Sequence, residues 1–285
     1  MRILVVTAVA AERDAVAAAL DGGEPAPLPG GYELLRCSGD ERCAGDDGAA
    51  AFDVVDAFDA FDVLAAGVGP AAAAAGTATA LTAAALSGQP YDLVVSAGIG
   101  GGFSPGPPGP PGPPGLSSAP PGRSPSGAPL GSVVVAEAIV AADLGAETPD
   151  GFAPVTELGF GTVAHRPDPA LVRAAATAAD AAIGTILTVS TVTGSAERAA
   201  ELAERHPDVL AEAMEGFGVA EAAAAHGVPV LEVRTISNAV GPRDRAAWRI
   251  GDALAALTGT FRAFRAHRTL RTPPDPHRPA PEEAL

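Results

Sequence analysis

Apolar residues in this chain gather into short continuous runs, and stretches with helical spacing lie between them. RILVVT (2–7), FDVLAAGVGP (61–70), YDLVVSAGIGGG (91–102), SVVVAEAIVAAD (132–143), TILTVSTVTG (185–194) and VPVLEVRTISN (228–238) read as buried strands, several of them running into glycine turns. Helices are predicted behind the first strand, from the alanine-rich stretch to Leu86, over 168–182, 195–205 and 215–226, and from about 245 to 267. Continuous apolar strands alternating with helices predict a mainly parallel sheet covered on both faces. The expectation is one α/β domain over residues 1–268, built as a three-layer αβα sandwich.

Three segments break the pattern. SPGPPGPPGPPGLSSAPPGRSPSGAPLG (104–131) carries three Gly-Pro-Pro triplets, too few for a collagen triple helix, which needs long strict repeats from three chains. Residues 104–130 are therefore expected to be a disordered insertion between two strands. CSGDERCAGDDGAAAFD (37–53) reads as an exposed acidic loop, and residues 269–285 as a proline-rich tail that does not pack.

Composition narrows the chemistry. The 285 residues include 18 basic side chains, all arginine, so Schiff-base catalysis, covalent pyridoxal phosphate and a Walker A lysine are excluded. A formal net charge of −16 argues against nucleic acid or an anionic membrane as partner. No run is long and apolar enough to span a bilayer, and Glu12 and Arg13 arrive too early for a signal peptide, so a cytoplasmic protein is expected. Cys37 and Cys43 have no second Cys/His pair nearby and are expected as free thiols; no metal site is expected, because the five histidines are scattered.

The candidate chemistry sits at strand ends, where ligands bind in open α/β sheets. SAGIGGG resembles a dinucleotide fingerprint only in part: Phe103 stands where GxGxxG from Gly98 would end, and a proline-rich insert follows in place of a helix. No nicotinamide or other cofactor is expected; the glycines suit a backbone that must approach a ligand closely. Glu12 follows the first strand, and Glu215 opens a later helix. Either carboxylate alone fits an ordinary helix-dipole role, but Ser96, Thr191 and Asn238 lie at strand ends that could converge with them. LEVRTISNAVGPRD (231–244) places Ser237, Asn238, Arg243 and Asp244 just past the apolar part of a strand.

The order Glu12, GVG (67–69), SAGIGG (96–101), STVTGS (190–195), MEG (214–216) and VRTISN (233–238) resembles the purine nucleoside phosphorylase/hydrolase family. The nearest likeness is to the nucleosidases that hydrolyse methylthioadenosine and adenosylhomocysteine. GVGPAAAA, ADLGAETPDGF (142–152), LTVSTVTGSAERAA (187–200) and VRTISNAVGPRD resemble more specifically a branch whose substrate is a hypoxanthine nucleoside with an aromatic carboxylate on its 5′ side. The resemblance covers nearly the whole chain outside the three irregular segments. It implies a nucleoside phosphorylase/hydrolase fold, a small-molecule nucleoside substrate and a homodimer or higher homo-oligomer. It also implies that Glu12 is the base acting on water and that Glu215 holds the ribose hydroxyls, with Met214 packed on the sugar. Ser237 and Asn238 would take up charge on the departing purine. Thr191 and Val192 would line the base pocket, and Ser96 and Gly98 would close its floor. The 5′ carboxylate needs a local donor in so acidic a protein, and the candidates are Arg243, Arg245 or a partner subunit.

Two departures stand out. The adenine-cleaving nucleosidases carry aspartate where this chain has Asn238, and glutamate where it has Ala213, with Glu212 one residue earlier. An amide NH2 can donate to O6 of hypoxanthine, which a carboxylate would repel, so Asn238 points to a 6-oxopurine. A phosphorylase or nucleosidase for another purine nucleoside, and a non-catalytic nucleoside-binding protein, remain open alternatives.

Overall fold

The structure, a computed structural model, describes residues 1–37, 60–104 and 127–267. Its centre is β1 (Arg2–Thr7), flanked in parallel by β4 (Ala60–Ala65) and β5 (Leu93–Gly102). β12 (Val230–Ala239) runs parallel to β5 on its other side. β6 (Val133–Ala141) then pairs antiparallel with β12, and β10 (Ala182–Thr188) and β11 (Val209–Ala213) continue in parallel beyond it. At the opposite edge, β3 (Glu33–Cys37) and β2 (Glu24–Pro27) extend the sheet antiparallel. The sheet is thus mixed: two parallel blocks joined by an antiparallel seam. It also curls, so that β11 returns to pair with the end of β5, Ala211 opposite Gly102 and Glu212 opposite Gly101.

Helices cover both faces. α1 (Ala10–Ala19), α3 (Pro169–Ala179) and α6 (Ile250–His267) pack over one, burying Val16, Leu171, Val172, Leu257 and Phe261 against Ile3, Val5, Val95 and Val233. α2 (Pro70–Leu86) and α5 (Gly216–Ala225) cover the other, against Leu4, Val6, Val94 and Ile236. Alanine suits α2 twice, by high helix propensity and by letting the helix lie close: a Cβ at Gly76 would come 2.7 Å from that of Ala66. α4 (Ala196–Arg205) starts at Ser195, whose hydroxyl accepts from Arg198 N at 3.1 Å, and buries Leu202. Among the described residues no helix is long and apolar enough to cross a membrane.

The structure corrects the sequence expectation in several places. Residues 24–37 form the edge hairpin β2–β3, which Pro25 and Pro27 obscure; proline is tolerated there because an edge strand leaves N–H positions unpaired. Cys37 belongs to β3 and not to an exposed loop: it is buried, and burial, with Asp62 nearby, pushes its thiol pKa up to about 11. The rest of the acidic segment, most of the proline-rich insertion and the tail, with Cys43, lie outside the described residues. The strand expected at 185–194 starts earlier and stops at Thr188, leaving 189–195 as the loop that leads to α4. α3 ends at Ala179, where Asp180 takes a left-handed conformation.

The end of the insertion is also docked. Ala128 is buried, its N–H donates to Phe103 O at 3.0 Å, and Gly131 N donates to Ile236 O at 2.8 Å. Ala128 O presses on Gly102 so closely that a Cβ there would overlap it. Gly102→Ala is therefore expected to cost about 1–3 kcal/mol, the range for forcing extra atoms into a packed site. Thermal denaturation checks this, and an unchanged Tm would mean that the Ala128 segment does not sit on β5.

Candidate active site

The carboxyl ends of β1, β5 and β12 meet the starts of α1 and α5, and a pocket opens between them. Glu12, in the first turn of α1, is 4% exposed although it lines this pocket. Three backbone donors orient it: Ala8 N at 3.0 Å and Val9 N at 3.3 Å on Oε2, and Ile99 N at 2.9 Å on Oε1. The carboxylate can sit against β5 only because residue 98 is glycine. A Cβ there would lie 2.6 Å from Glu12 Oε1 and 2.9 Å from Arg234 Nη1.

Arg234 is the hub of a buried charge cluster. Its Nη1 donates to Glu215 Oε2 at 3.1 Å, its Nε to Glu232 Oε1 at 2.9 Å and its Nη2 to Ser96 Oγ at 3.0 Å. Glu215 stands at the N-cap position of α5, and its side chain accepts from Gly69 N at 3.2 Å as well, which ties the GVG turn to the cluster. Burial alone would lower the pKa of Arg234, but Glu232, Glu215 and Glu12 outweigh it and hold it above the ordinary value. Glu232 is fully buried beneath α5, where Gly216 leaves room for its carboxylate, and among the described residues its Oε2 has no hydrogen-bond partner. Burial, reinforced by Glu215 and opposed by Arg234, raises its pKa to about 7. One guanidinium cannot fully compensate three carboxylates, and the one left half-satisfied is the one whose protonated form burial favours.

Further along β5 the side chains change character. Gly101 lies between Asn238 of β12 and Glu212 of β11 in register, and all three line the pocket. Asn238 Oδ1 accepts from Ser237 Oγ at 2.9 Å and its Nδ2 donates to Ala239 O at 3.0 Å, which leaves a second amide hydrogen for a ligand. Thr193 donates to Glu212 through its N at 2.8 Å and through its Oγ1. At the mouth, Arg243 lies over Trp248, 5.6 Å from the ring centroid, and Arg245 approaches the same ring at 6.0 Å.

The structure therefore brings Glu12, Val192, Met214, Glu215, Ser237, Asn238 and Arg243 to one pocket. Ser96 and Gly98 do not form its floor: Ser96 is buried behind it as an acceptor for Arg234, and Gly98 makes room for the charge cluster. Thr191 is exposed and faces a neighbouring cleft beside Asp143 and Arg198. Arg245 stays outside the pocket lining. Chemically, one end offers two fixed carboxylates backed by the buried Arg234 guanidinium, and the other an amide and a carboxylate. Two to three residues along β5 separate them, about 7–10 Å, a span that suits a sugar and its base.

Comparison with known proteins identifies the family. Residues 63–264 match the family model described as the phosphorylase superfamily. The chain is 61% identical over 258 residues to the futalosine hydrolase of Streptomyces coelicolor, covering 90% of this chain and 92% of that one. It is 42% identical to the futalosine hydrolase of Acidothermus cellulolyticus, covering 92% and 90%. This chain belongs to the futalosine hydrolase family. Solved structures agree on the fold at low identity. The methylthioadenosine/adenosylhomocysteine nucleosidase of Colwellia psychrerythraea, in complex with adenine, superposes with a TM-score of 0.68 at 19% identity, over 94% of this chain and 95% of that one. Futalosine hydrolase of Helicobacter pylori gives 0.66 at 16%, over 92% and 96%.

Within this futalosine hydrolase family chain, sequence reasoning gave no role to Arg234, Glu232, Glu212, Thr193 or Trp248. The signal for the first two was present: two charges at alternate positions inside an otherwise apolar strand mark a buried polar face when both sides of the sheet are covered. Glu232 also makes stability pH-dependent. Its pKa rises from 4.5 to about 7 on folding, so its contribution is fully present below about 4.5 and is lost as pH rises through about 7. Glu232→Gln removes this titration. Relative to wild type, the variant is expected to gain stability between pH 5 and pH 8 in denaturant melts, and a parallel pH dependence in both proteins would contradict the assignment.

Proposed function

We propose that this protein hydrolyses the N-glycosidic bond of futalosine, releasing hypoxanthine and dehypoxanthine futalosine, in menaquinone biosynthesis. The observation that carries this reading is the 61% identity to a futalosine hydrolase across 90% of the chain, and the chemistry of the pocket supports it. Glu12, held by three backbone N–H groups at the wall of β5, takes the proton of the attacking water. Glu215, fixed by Arg234 and Gly69, holds the ribose hydroxyls, with half-buried Met214 against the sugar. Asn238, set by Ser237, donates to the six-oxygen side of the departing base, where negative charge develops.

Hydrolysis is favoured over phosphorolysis because Arg234 is spoken for. It is 1% exposed and bonded to Glu215, Glu232 and Ser96, which leaves Arg243, at the mouth, as the arginine lining the pocket among the described residues. Arg243, with the indole of Trp248 beside it, is the site for the 5′ aromatic carboxylate. The reading includes a cytoplasmic homodimer or higher homo-oligomer. Val9, Val68 and Val192, exposed at the pocket edge, support a second copy lying close by.

Release of hypoxanthine from futalosine, compared with inosine, methylthioadenosine and the 6-amino counterpart of futalosine, tests the substrate. Preferred turnover of any of the others would displace futalosine. Glu12→Gln is expected to lower kcat by ~10²–10⁴ and leave analogue binding largely intact, because the amide can orient water but cannot accept its proton. Activity within a few-fold of wild type would remove Glu12 from the mechanism. Asn238→Asp is expected to lower kcat/KM for futalosine and raise the relative turnover of the 6-amino substrate, since the new carboxylate faces O6 acceptor to acceptor. An unchanged preference ratio would show that Asn238 does not face the six-position.

A further inference from the structure

Glu212 is a carboxylate in the base half of the pocket with no part in the steps above. It is 5% exposed, lines the pocket, and pairs in register with Gly101 from the side opposite Asn238. Among the described residues its side-chain hydrogen bonds come from one neutral residue, Thr193, through N at 2.8 Å on Oε1 and through Oγ1 on Oε2. A carboxylate offers about four acceptor positions, so each oxygen keeps one free. Burial raises the pKa of Glu212 and the Thr193 hydrogen bonds lower it, leaving it above the usual carboxylate value. A glutamine could satisfy Thr193 N–H without burying a charge, a burial that costs several kcal/mol per ion. An ionisable side chain at this position needs a reason.

The edge of a 6-oxopurine supplies one. Hypoxanthine presents acceptors at N7 and O6 and, next to O6, a donor at N1–H. We propose that Glu212 is a specificity residue that accepts the N1–H of the 6-oxopurine base, while Asn238 donates to the adjacent acceptors from the other side of Gly101. The inference rests on the 6-oxopurine reading of the substrate and deepens it. In adenine both features are inverted, since N6 is a donor and N1 an acceptor, so Glu212 and Asn238 each oppose a 6-amino base independently. The geometry accommodates this. β11 and β12 each pair with β5, so their Cα atoms stand roughly 10 Å apart across Gly101. Two side chains reaching inward from that separation can meet neighbouring atoms of one planar ring.

The test compares binding of hypoxanthine and 1-methylhypoxanthine, which lacks the N1–H, to the wild-type protein and to Glu212→Gln and Glu212→Ala by calorimetry. Wild type is expected to bind hypoxanthine ~10–10²-fold more tightly than the methylated base, the range for a hydrogen bond to a charged group. Glu212→Ala, which also frees space for the methyl group, is expected to erase most of that preference. Glu212→Gln keeps the size of the side chain and is expected to shift the kcat/KM ratio of futalosine to its 6-amino counterpart toward the latter by at least ~10-fold. Equal binding of both bases by wild type overturns the proposal. So does a preference that persists in Glu212→Ala, or an unchanged substrate ratio in Glu212→Gln. If wild type keeps its preference for hypoxanthine but does not cleave futalosine, the substrate reading fails and the role of Glu212 stands.

Discussion

The site depends on the absence of side chains along the end of β5. From Gly98 onward this strand carries Ile99 as its one side chain, and at its glycines other groups press directly on the backbone. The Glu12 carboxylate and Arg234 guanidinium crowd the position a Cβ would take at Gly98, and Asn238 Nδ2 would lie 3.3 Å from one at Gly101. β11 can return to pair with the same strand because the backbone is bare there. A strand with ordinary side chains would push α1 outward at one end and prevent closure at the other. The pocket and its chemistry therefore share one steric origin.

A second constraint is charge. Glu12, Glu215 and Glu232 converge on Arg234 with almost no exposure, an arrangement that is poor evidence for stability because desolvation offsets most of the attraction. Its value lies in position. Arg234 holds Glu215 from behind, Ser96 and Glu232 hold Arg234, and Gly216 opens the space in which Glu232 sits. The cluster fixes the ribose end as one rigid body of mutually bonded groups. The cost falls on Glu232, whose second oxygen has no partner among the described residues.

The central strands were legible because buried parallel strands read as unbroken apolar runs, and β1, β5, β6 and β12 sit where such runs occur. The edges were not. β2 carries two prolines, β9 (Ala164–His165) spans two residues, and β11 is a five-residue run behind a charged helix. For the site, Glu12, Glu215 and Asn238 could be read from their places beside strand ends and from the order of short motifs. Arg234 and Glu232 stood in the same stretch as Asn238 and were missed for a physical reason. Charges at alternate positions ordinarily mark a solvated strand face. Here Leu231 and Val233 face the layer containing α6, while Glu232 faces α5. The expected cover of helices on both faces already implied that neither face of β12 meets water, and the two charges carried that signal. Glu212 escaped for another reason, since nothing local shows that the sheet curls and brings β11 to β5.

The same layering bears on how such a site selects its nucleophile. Two unit charges 4 Å apart interact by on the order of 4 kcal/mol at an effective dielectric near 20. In the proposed roles, Glu12 and Glu215 would stabilise a developing ribosyl cation by an amount that matters to the barrier. A phosphate dianion placed there would meet the same field with the opposite sign and twice the charge. A pocket could overcome that repulsion with free arginines, but here the arginine nearest the sugar is saturated by its own carboxylates and Arg243 stands at the mouth. Water carries no net charge and escapes the penalty. A fold shared with phosphorylases becomes suited to hydrolysis when its buried cation is bound to carboxylates and unavailable to an anion.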